Sequence, residues 1–187
     1  MCGRECKIVF CDVDGTLLTS KLEVLPGTLK AIHALQKRGV PFIITSARSP
    51  AGIRPIFARY GFSCPIIAYS GALIVGEDGA LLFSAGIAQK EAEALIRFVE
   101  QRQFDCTWNV YSRDTWLVKD KTDPRVIREE NIVCTQATQG SVASLAGADV
   151  HKILLMCESS AILEIERQLK DDSLHSRSSN HRTFCLK

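Results

Sequence analysis

Short apolar runs alternate with helical patterns over the first part of the chain, and this alternation restricts the possible folds more than any other feature. Buried strands are predicted where the runs end at turn residues: Lys7 to Val13, Val40 to Thr45 and Pro65 to Tyr69. Helices that begin with a proline and stop at a glycine are predicted between them: Pro26 to Lys37 and Pro50 to Tyr60. This order predicts an α/β fold with a parallel sheet and right-handed crossovers.

After the third predicted strand, the pattern changes to that of an α+β module. Two hairpin turns are predicted, around Gly76 to Gly79 and around Ser112 to Asp114. Later helices and strands are predicted from periodicity: helices over Ala88 to Gln103, Pro124 to Glu130 and Ser160 to Leu169, and strands over Val150 to Cys157 and Arg182 to Leu186. We therefore expect a core domain over residues 1–85 and a second domain over residues 86–187.

The composition is that of an ordinary globular protein. Of 187 residues, 46% are apolar and 24% are charged, and the net charge is +2 with Lys and Arg scattered along the chain. Neither nucleic acid nor an acidic membrane surface is expected as a partner. No targeting segment or membrane span is visible, so a cytoplasmic location is predicted. The eight cysteines include no Cys-x-x-Cys pair and are predicted to be reduced thiols.

Two aspartates close the first predicted strand. Asp12 and Asp14 follow an apolar run, and Gly15 turns the chain directly after them. Carboxylates this close repel each other unless a cation lies between them, and Mg²⁺ prefers oxygen ligands of this kind. One aspartate could then attack phosphorus while the other moves protons. The alternative is a surface turn with two solvated acids, but the apolar residues on both sides favour a functional site at the carboxyl end of the sheet.

The run Asp12-Val13-Asp14-Gly15-Thr16 resembles the first motif of the haloacid dehalogenase superfamily. The resemblance implies that Asp12 is the nucleophile and forms an aspartyl-phosphate, and that Asp14 is the general acid and base. It also implies a Mg²⁺ cofactor, held by the side chain of Asp12 and the backbone carbonyl of Asp14. The fold that it implies is a Rossmann-like parallel-sheet core with an inserted α+β cap domain.

The end of the second predicted strand resembles the second motif of the superfamily. In the run Thr45-Ser46-Ala47-Arg48, Ser46 aligns with the phosphate-binding hydroxyl of the Cof-type subfamily. A hydroxyl at a strand end, followed by the free amides of a helix, suits an anion. The alternative is that Ser46 caps the next helix, a role for which Ser49 would also serve.

Four other residues complete the phosphate-binding set that the resemblance implies. Thr16 belongs to the first motif, and Arg48 is assigned either to phosphate or cap contacts or to a surface ion pair. Ser70 and Gly71 lie in a segment that resembles the Asn-Gly-Ala segment of the subfamily, with Ser70 in place of Asn.

In Cof-type proteins a type IIB cap follows the third strand, and the stretch from Gly86 to Lys187 has its size and element order. The aromatic residues of this stretch, Trp108, Tyr111 and Trp116, are expected to pack within the cap sheet rather than face substrate. The resemblance also implies a lysine and a Gly-Asp-x-x-x-Asp strand end after the cap, and the sequence has neither. Three explanations stay open: a fragment of a longer protein, a natural short form, or a frameshifted product.

The combined prediction is a Mg²⁺-dependent phosphomonoester hydrolase acting on small phosphorylated metabolites such as sugar phosphates. One alternative is a phosphomutase of the same superfamily. The other is a truncated form that binds a ligand or partner without catalysis. An incomplete core sheet would expose an edge, which favours association into homo-oligomers.

Overall fold

The computed structural model describes residues 6–171 and 184–186. They form two compact units, and the chain passes from the first to the second between Ser84 and Ala85. Among these residues, no helix combines the length and the apolar character that a bilayer crossing requires.

The first unit is an α/β structure around a five-stranded sheet. Its elements are, in chain order, β1 (Val9–Asp12), α1 (Pro26–Lys37), β2 (Phe42–Thr45), α2 (Pro50–Tyr60), β3 (Ile66–Ala68), a 3₁₀ turn (Tyr69–Gly71), β4 (Leu73–Val75) and β5 (Leu81–Ser84). The strands lie in the order β1-β2-β3-β4-β5, with β1, β2 and β3 parallel and the last two pairings antiparallel. The predicted parallel α/β start is confirmed.

Local signals at both ends explain the bounds of α2. Pro50 occupies its first turn, and the Ser49 hydroxyl accepts a hydrogen bond from the Gly52 amide at 3.1 Å. Gly61 ends the helix at φ 68°, a left-handed conformation that suits glycine. Because consecutive parallel strands are neighbours and crossovers are right-handed, α1 and α2 cover the same face of the sheet.

The second unit is an α+β structure around a second five-stranded sheet. Its elements are, in chain order, α3 (Gln89–Gln101), β6 (Cys106–Ser112), β7 (Thr115–Val118), α4 (Pro124–Val133), β8 (Thr138–Gln139), a 3₁₀ turn (Val142–Leu145), β9 (Lys152–Cys157), α5 (Ile162–Asp171) and β10 (Phe184–Leu186). The strand order is β10-β9-β6-β7-β8, in which β6 is antiparallel to both β7 and β9. The predicted α+β module is confirmed, whereas β8 was missed.

The core of the second unit lies between its sheet and its helices. Alternate residues of β6 and β9 supply buried side chains, among them Trp108, Val110 and Leu155. Trp116 and Tyr111 stack with ring centroids 5.4 Å apart, and both are buried. The expectation that these aromatic residues pack within the sheet is confirmed.

Candidate functional site

Asp12 is the last residue of β1, and a tight loop follows it. The loop returns on itself because the Leu17 amide donates to the Asp12 carbonyl at 3.1 Å and the Leu18 amide donates to the Val13 carbonyl at 2.9 Å. Gly15 takes φ 77° at the turn. The two leucines are buried and anchor the loop, which leaves the side chains of Asp12, Asp14 and Thr16 exposed at the strand end.

The cysteine before the candidate nucleophile stays uncharged. Burial raises the pKa of the Cys11 thiol, and the neighbouring Asp12 carboxylate raises it further. The thiol donates instead to the Asp12 carbonyl at 3.2 Å. At neutral pH a Cys11 thiolate is therefore not expected as a nucleophile at this strand end.

Arg48 forms a two-pronged ion pair with Asp14. Its Nη2 lies 2.6 Å from Asp14 Oδ1, and its Nε lies 3.0 Å from Asp14 Oδ2. The guanidinium is largely buried while the carboxylate is half exposed. This planar geometry fixes the orientation of Asp14, because the two N–H donors on one edge of the guanidinium match the two carboxylate oxygens. The ion pair considered for Arg48 is present, with its guanidinium largely buried, and its contact with phosphate stays a prediction.

Ser46 is held at the end of β2 and is only 5% exposed. Its amide donates to the Ile67 carbonyl at 2.9 Å, and its hydroxyl accepts from the Arg48 amide at 3.1 Å. Ser49 caps α2, so the capping role considered for Ser46 belongs to its neighbour. The Ser46 hydroxyl hydrogen remains available to a phosphoryl oxygen.

The third loop of the site carries backbone strain. Tyr69, Ser70 and Gly71 have consecutive positive φ values of 51°, 55° and 102°. The Ser70 amide donates to the Ser46 carbonyl at 3.0 Å, and the Tyr69 amide donates to the Arg48 carbonyl at 3.3 Å. Left-handed conformations at non-glycine residues are costly and cluster at functional sites, where surrounding contacts enforce them.

The three loops follow neighbouring parallel strands, so they meet at one edge of the sheet. Asp12 lies opposite Thr45 in the register of β1 with β2, and Thr45 lies opposite Ile67 in that of β2 with β3. The predicted site residues all belong to these loops: Asp12, Asp14, Thr16, Ser46, Arg48, Ser70 and Gly71. Tyr69 was missed, because no local signal marks a tyrosine for a left-handed conformation.

The donor set at this edge fits part of a Mg²⁺ shell. Mg²⁺ takes carboxylate and carbonyl oxygens and keeps several waters. Asp12 and Asp14 offer such oxygens at one exposed strand end. Within residues 6–171 and 184–186, no group of three or more His, Cys, Asp or Glu side chains is placed to hold a metal. Asp12 and Asp14 are the residues in this part of the chain that would hold the ion.

Comparisons with known proteins identify the family of this chain. A family model described as haloacid dehalogenase-like hydrolase matches residues 9–186. A Haemophilus influenzae protein named "Putative phosphatase" is 31% identical over 169 residues, which are 90% of this chain and 63% of that protein.

Solved structures show the same fold. A haloacid dehalogenase-like hydrolase from Bacteroides thetaiotaomicron superposes with a TM-score of 0.79 at 19% identity, over 89% of this chain and 64% of that one. A structure described as a subclass IIB sugar phosphatase gives a TM-score of 0.68 at 17% identity, over 88% and 64% of the two chains. This chain thus spans about 63–64% of these relatives. The chain belongs to the haloacid dehalogenase-like hydrolase family, in its Cof-type branch.

Proposed function

We propose that this chain carries the nucleophile and the phosphate-binding loops of a Mg²⁺-dependent phosphomonoester hydrolase. The observation that carries the proposal is the convergence of three loops after β1, β2 and β3. The Tyr69 and Ser70 amides of the third loop donate to the Arg48 and Ser46 carbonyls of the second. Arg48 of the second loop pairs with Asp14 of the first. An exposed carboxylate at Asp12 ends the first of the three strands. Ligands bind at this edge of open α/β sheets.

In the proposed reaction, an Asp12 carboxylate oxygen attacks phosphorus, and the bond from phosphorus to the ester oxygen breaks. Asp14, which enters this step as the protonated acid, gives its proton to the departing alkoxide, which leaves as an alcohol. A water then loses its proton to Asp14 and attacks phosphorus, so that the aspartyl bond breaks and phosphate is released. Atoms and protons balance over the two steps, because Asp14 returns to its starting form.

The remaining residues hold the phosphoryl group. The Ser46 hydroxyl donates to a phosphoryl oxygen, and Thr16, Ser70 and Gly71 border the same edge. Arg48 fixes the orientation of Asp14 through its paired hydrogen bonds. A bound Mg²⁺ would supply positive charge that offsets the charge of the phosphoryl oxygens and of the Asp12 carboxylate.

A small phosphorylated metabolite, such as a sugar phosphate, is the proposed substrate class. Similarity to a structure described as a subclass IIB sugar phosphatase supports this choice. The second unit, residues 85–187, is the proposed cap, because it resembles the α+β caps that close over such sites and exclude water.

The decisive experiment is hydrolysis of p-nitrophenyl phosphate with and without Mg²⁺ by the full chain and by two matched variants. Asp12→Asn should abolish the Mg²⁺-dependent turnover, because the amide is not a nucleophile. Asp78→Asn should retain it, because Asp78 lies in a surface turn where its Oδ1 accepts from the Ala80 amide at 2.9 Å, a bond that asparagine keeps. Circular dichroism checks that all three proteins fold.

Equal turnover in the wild-type and Asp12→Asn proteins would contradict the assignment of the nucleophile. If the folded wild-type protein shows no turnover with Mg²⁺, hydrolysis by this chain alone is excluded. The truncated, non-catalytic interpretation would then hold.

A further inference from the structure

Two cysteines of the second unit lie directly opposite each other in its sheet. Cys106 begins β6 and Cys157 ends β9, and the antiparallel register pairs one with the other. Both pack against the same core cluster as Trp108 and Leu155, which are two residues away along each strand. Side chains two residues apart share a face of a strand, so both thiols lie on one side of the sheet.

The backbone separation suits a disulfide. Residues opposite each other on antiparallel strands have Cα atoms about 4.5–5.5 Å apart, and disulfides span about 4.4–6.8 Å between Cα atoms. Both cysteines are free thiols in this structure and are partly exposed.

At neutral pH both thiols are mostly protonated, and a small thiolate fraction remains reactive. Burial first, and then the proximity of Cys157, raise the pKa of Cys106 to about 11. Burial also raises the pKa of Cys157. The Arg125 guanidinium opposes this by lowering the pKa of both thiols. Arg125 is held near this strand end by Asp105, at 3.1 Å. The thiolate fraction, and with it the rate of disulfide exchange, therefore rises with pH.

We propose that Cys106 and Cys157 are a redox pair that closes a reversible disulfide when the protein meets a low-molecular-weight disulfide such as oxidised glutathione. One cysteine thiolate attacks a sulfur of glutathione disulfide and releases one glutathione as a thiol. The second cysteine attacks the mixed disulfide and releases the other. The protein loses two electrons and two protons, which the oxidant gains. The new bond ties β6 to β9 and leaves the first unit unmodified.

The test uses the full chain in buffers of reduced and oxidised glutathione at pH 8, with free thiols then blocked and the protein digested without reductant. Mass spectrometry should find a Cys106–Cys157 cross-linked peptide that disappears on reduction. Cys106→Ser and Cys157→Ser should each abolish it, whereas Cys134→Ser should not, because Cys134 lies at the end of α4, where its thiol donates to the Asn131 carbonyl.

A thermal readout separates the cross-link from incidental oxidation. The cross-link closes a long loop, so the oxidised wild-type and Cys134→Ser proteins should melt on the order of 5 °C above their reduced forms. The melting temperatures of Cys106→Ser and Cys157→Ser should not depend on oxidant. The proposal is overturned if folded wild-type protein ends with separate glutathione adducts on the two cysteines, or with both thiols still free at full oxidation of the buffer.

Discussion

The sheets of the two units differ in how completely they are covered. In the second unit most residues of β6, β7 and β9 are buried. In the first unit, β1 alternates between half-buried and exposed residues, with Phe10 55% exposed, and all of β5 is exposed. Parallel sheets of α/β proteins are normally covered on both faces.

The uncovered surface of the first unit follows from its topology. Because α1 and α2 cover one face, the buried side chains Phe42, Ile44 and Ile66 lie beneath them, while Phe10 and Ile43 alternate onto the other face. The candidate site uses the loops at the end of this sheet, not its faces. The comparison therefore predicts that stability depends more on the core of the second unit, and chemistry on the strand ends of the first.

The largest expected effect comes from a matched pair of leucines in the two sheets. Leu155 of β9 is 0% exposed, and Leu82 of β5 is 63% exposed. Leu155→Ala should lower the free energy of unfolding by about 2–5 kcal/mol, because it leaves a cavity in a closed core. Leu82→Ala should change it by less than about 0.5 kcal/mol. Urea titration followed by circular dichroism measures both.

Both tryptophans of the chain, Trp108 and Trp116, lie in the second unit, so fluorescence reports on that unit separately. The loss for Leu155→Ala should appear in the fluorescence transition. An equal loss for Leu82→Ala would break the comparison, since it would mean that β5 is covered in the protein in solution.

A buried amide of the second unit gives the next largest effect. Asn109 is 0% exposed, donates to the Thr107 and Leu154 carbonyls at 3.3 and 3.2 Å, and accepts from Trp116 Nε1 at 3.0 Å. Asn109→Ala leaves the Trp116 N–H and the Leu154 carbonyl short of partners, and should cost about 2–4 kcal/mol of unfolding free energy.

Asn131→Ala is the control for this substitution. Asn131 is exposed on α4, and its amide donates to the Ile127 carbonyl at 3.0 Å, a bond that water can replace. The expected loss is about 0.5 kcal/mol or less. Fluorescence-detected unfolding of both variants is the measurement, and losses of similar size would contradict the role assigned to the buried network.

Sequence patterns predicted the elements whose start and stop residues lie at their own ends. The bounds of α1 and α2 were predicted as observed, because proline and glycine mark both ends. The two-residue strand β8 was missed, because Thr138–Gln139 is too short to show any periodicity. These two residues form a strand because they pair with β7, not because their own sequence favours a strand.

Only those parts of the candidate site that are contiguous in sequence were predicted. The Asp12 loop is a contiguous motif, so its strand, turn and acids could be inferred from neighbours in sequence. The ion pair of Arg48 with Asp14 joins residues 34 positions apart, and nothing in either motif specifies it. The left-handed Tyr69 is likewise imposed by hydrogen bonds to the preceding loop.

The smallest expected effect tests the uncovered face itself. Phe10→Thr removes an aromatic ring that is already more than half in water and keeps a residue that suits strands, so the free energy of unfolding should change by about 0.5 kcal/mol or less. Phe42 lies on the neighbouring strand and on the covered face, where its ring meets that of Phe62 edge to face with centroids 6.3 Å apart. Phe42→Thr should lower the free energy of unfolding by about 3 kcal/mol or more. Circular dichroism in urea compares the two. A cost for Phe10→Thr close to that for Phe42→Thr would show that this face is covered in solution, and the contrast between the two sheets would then be lost.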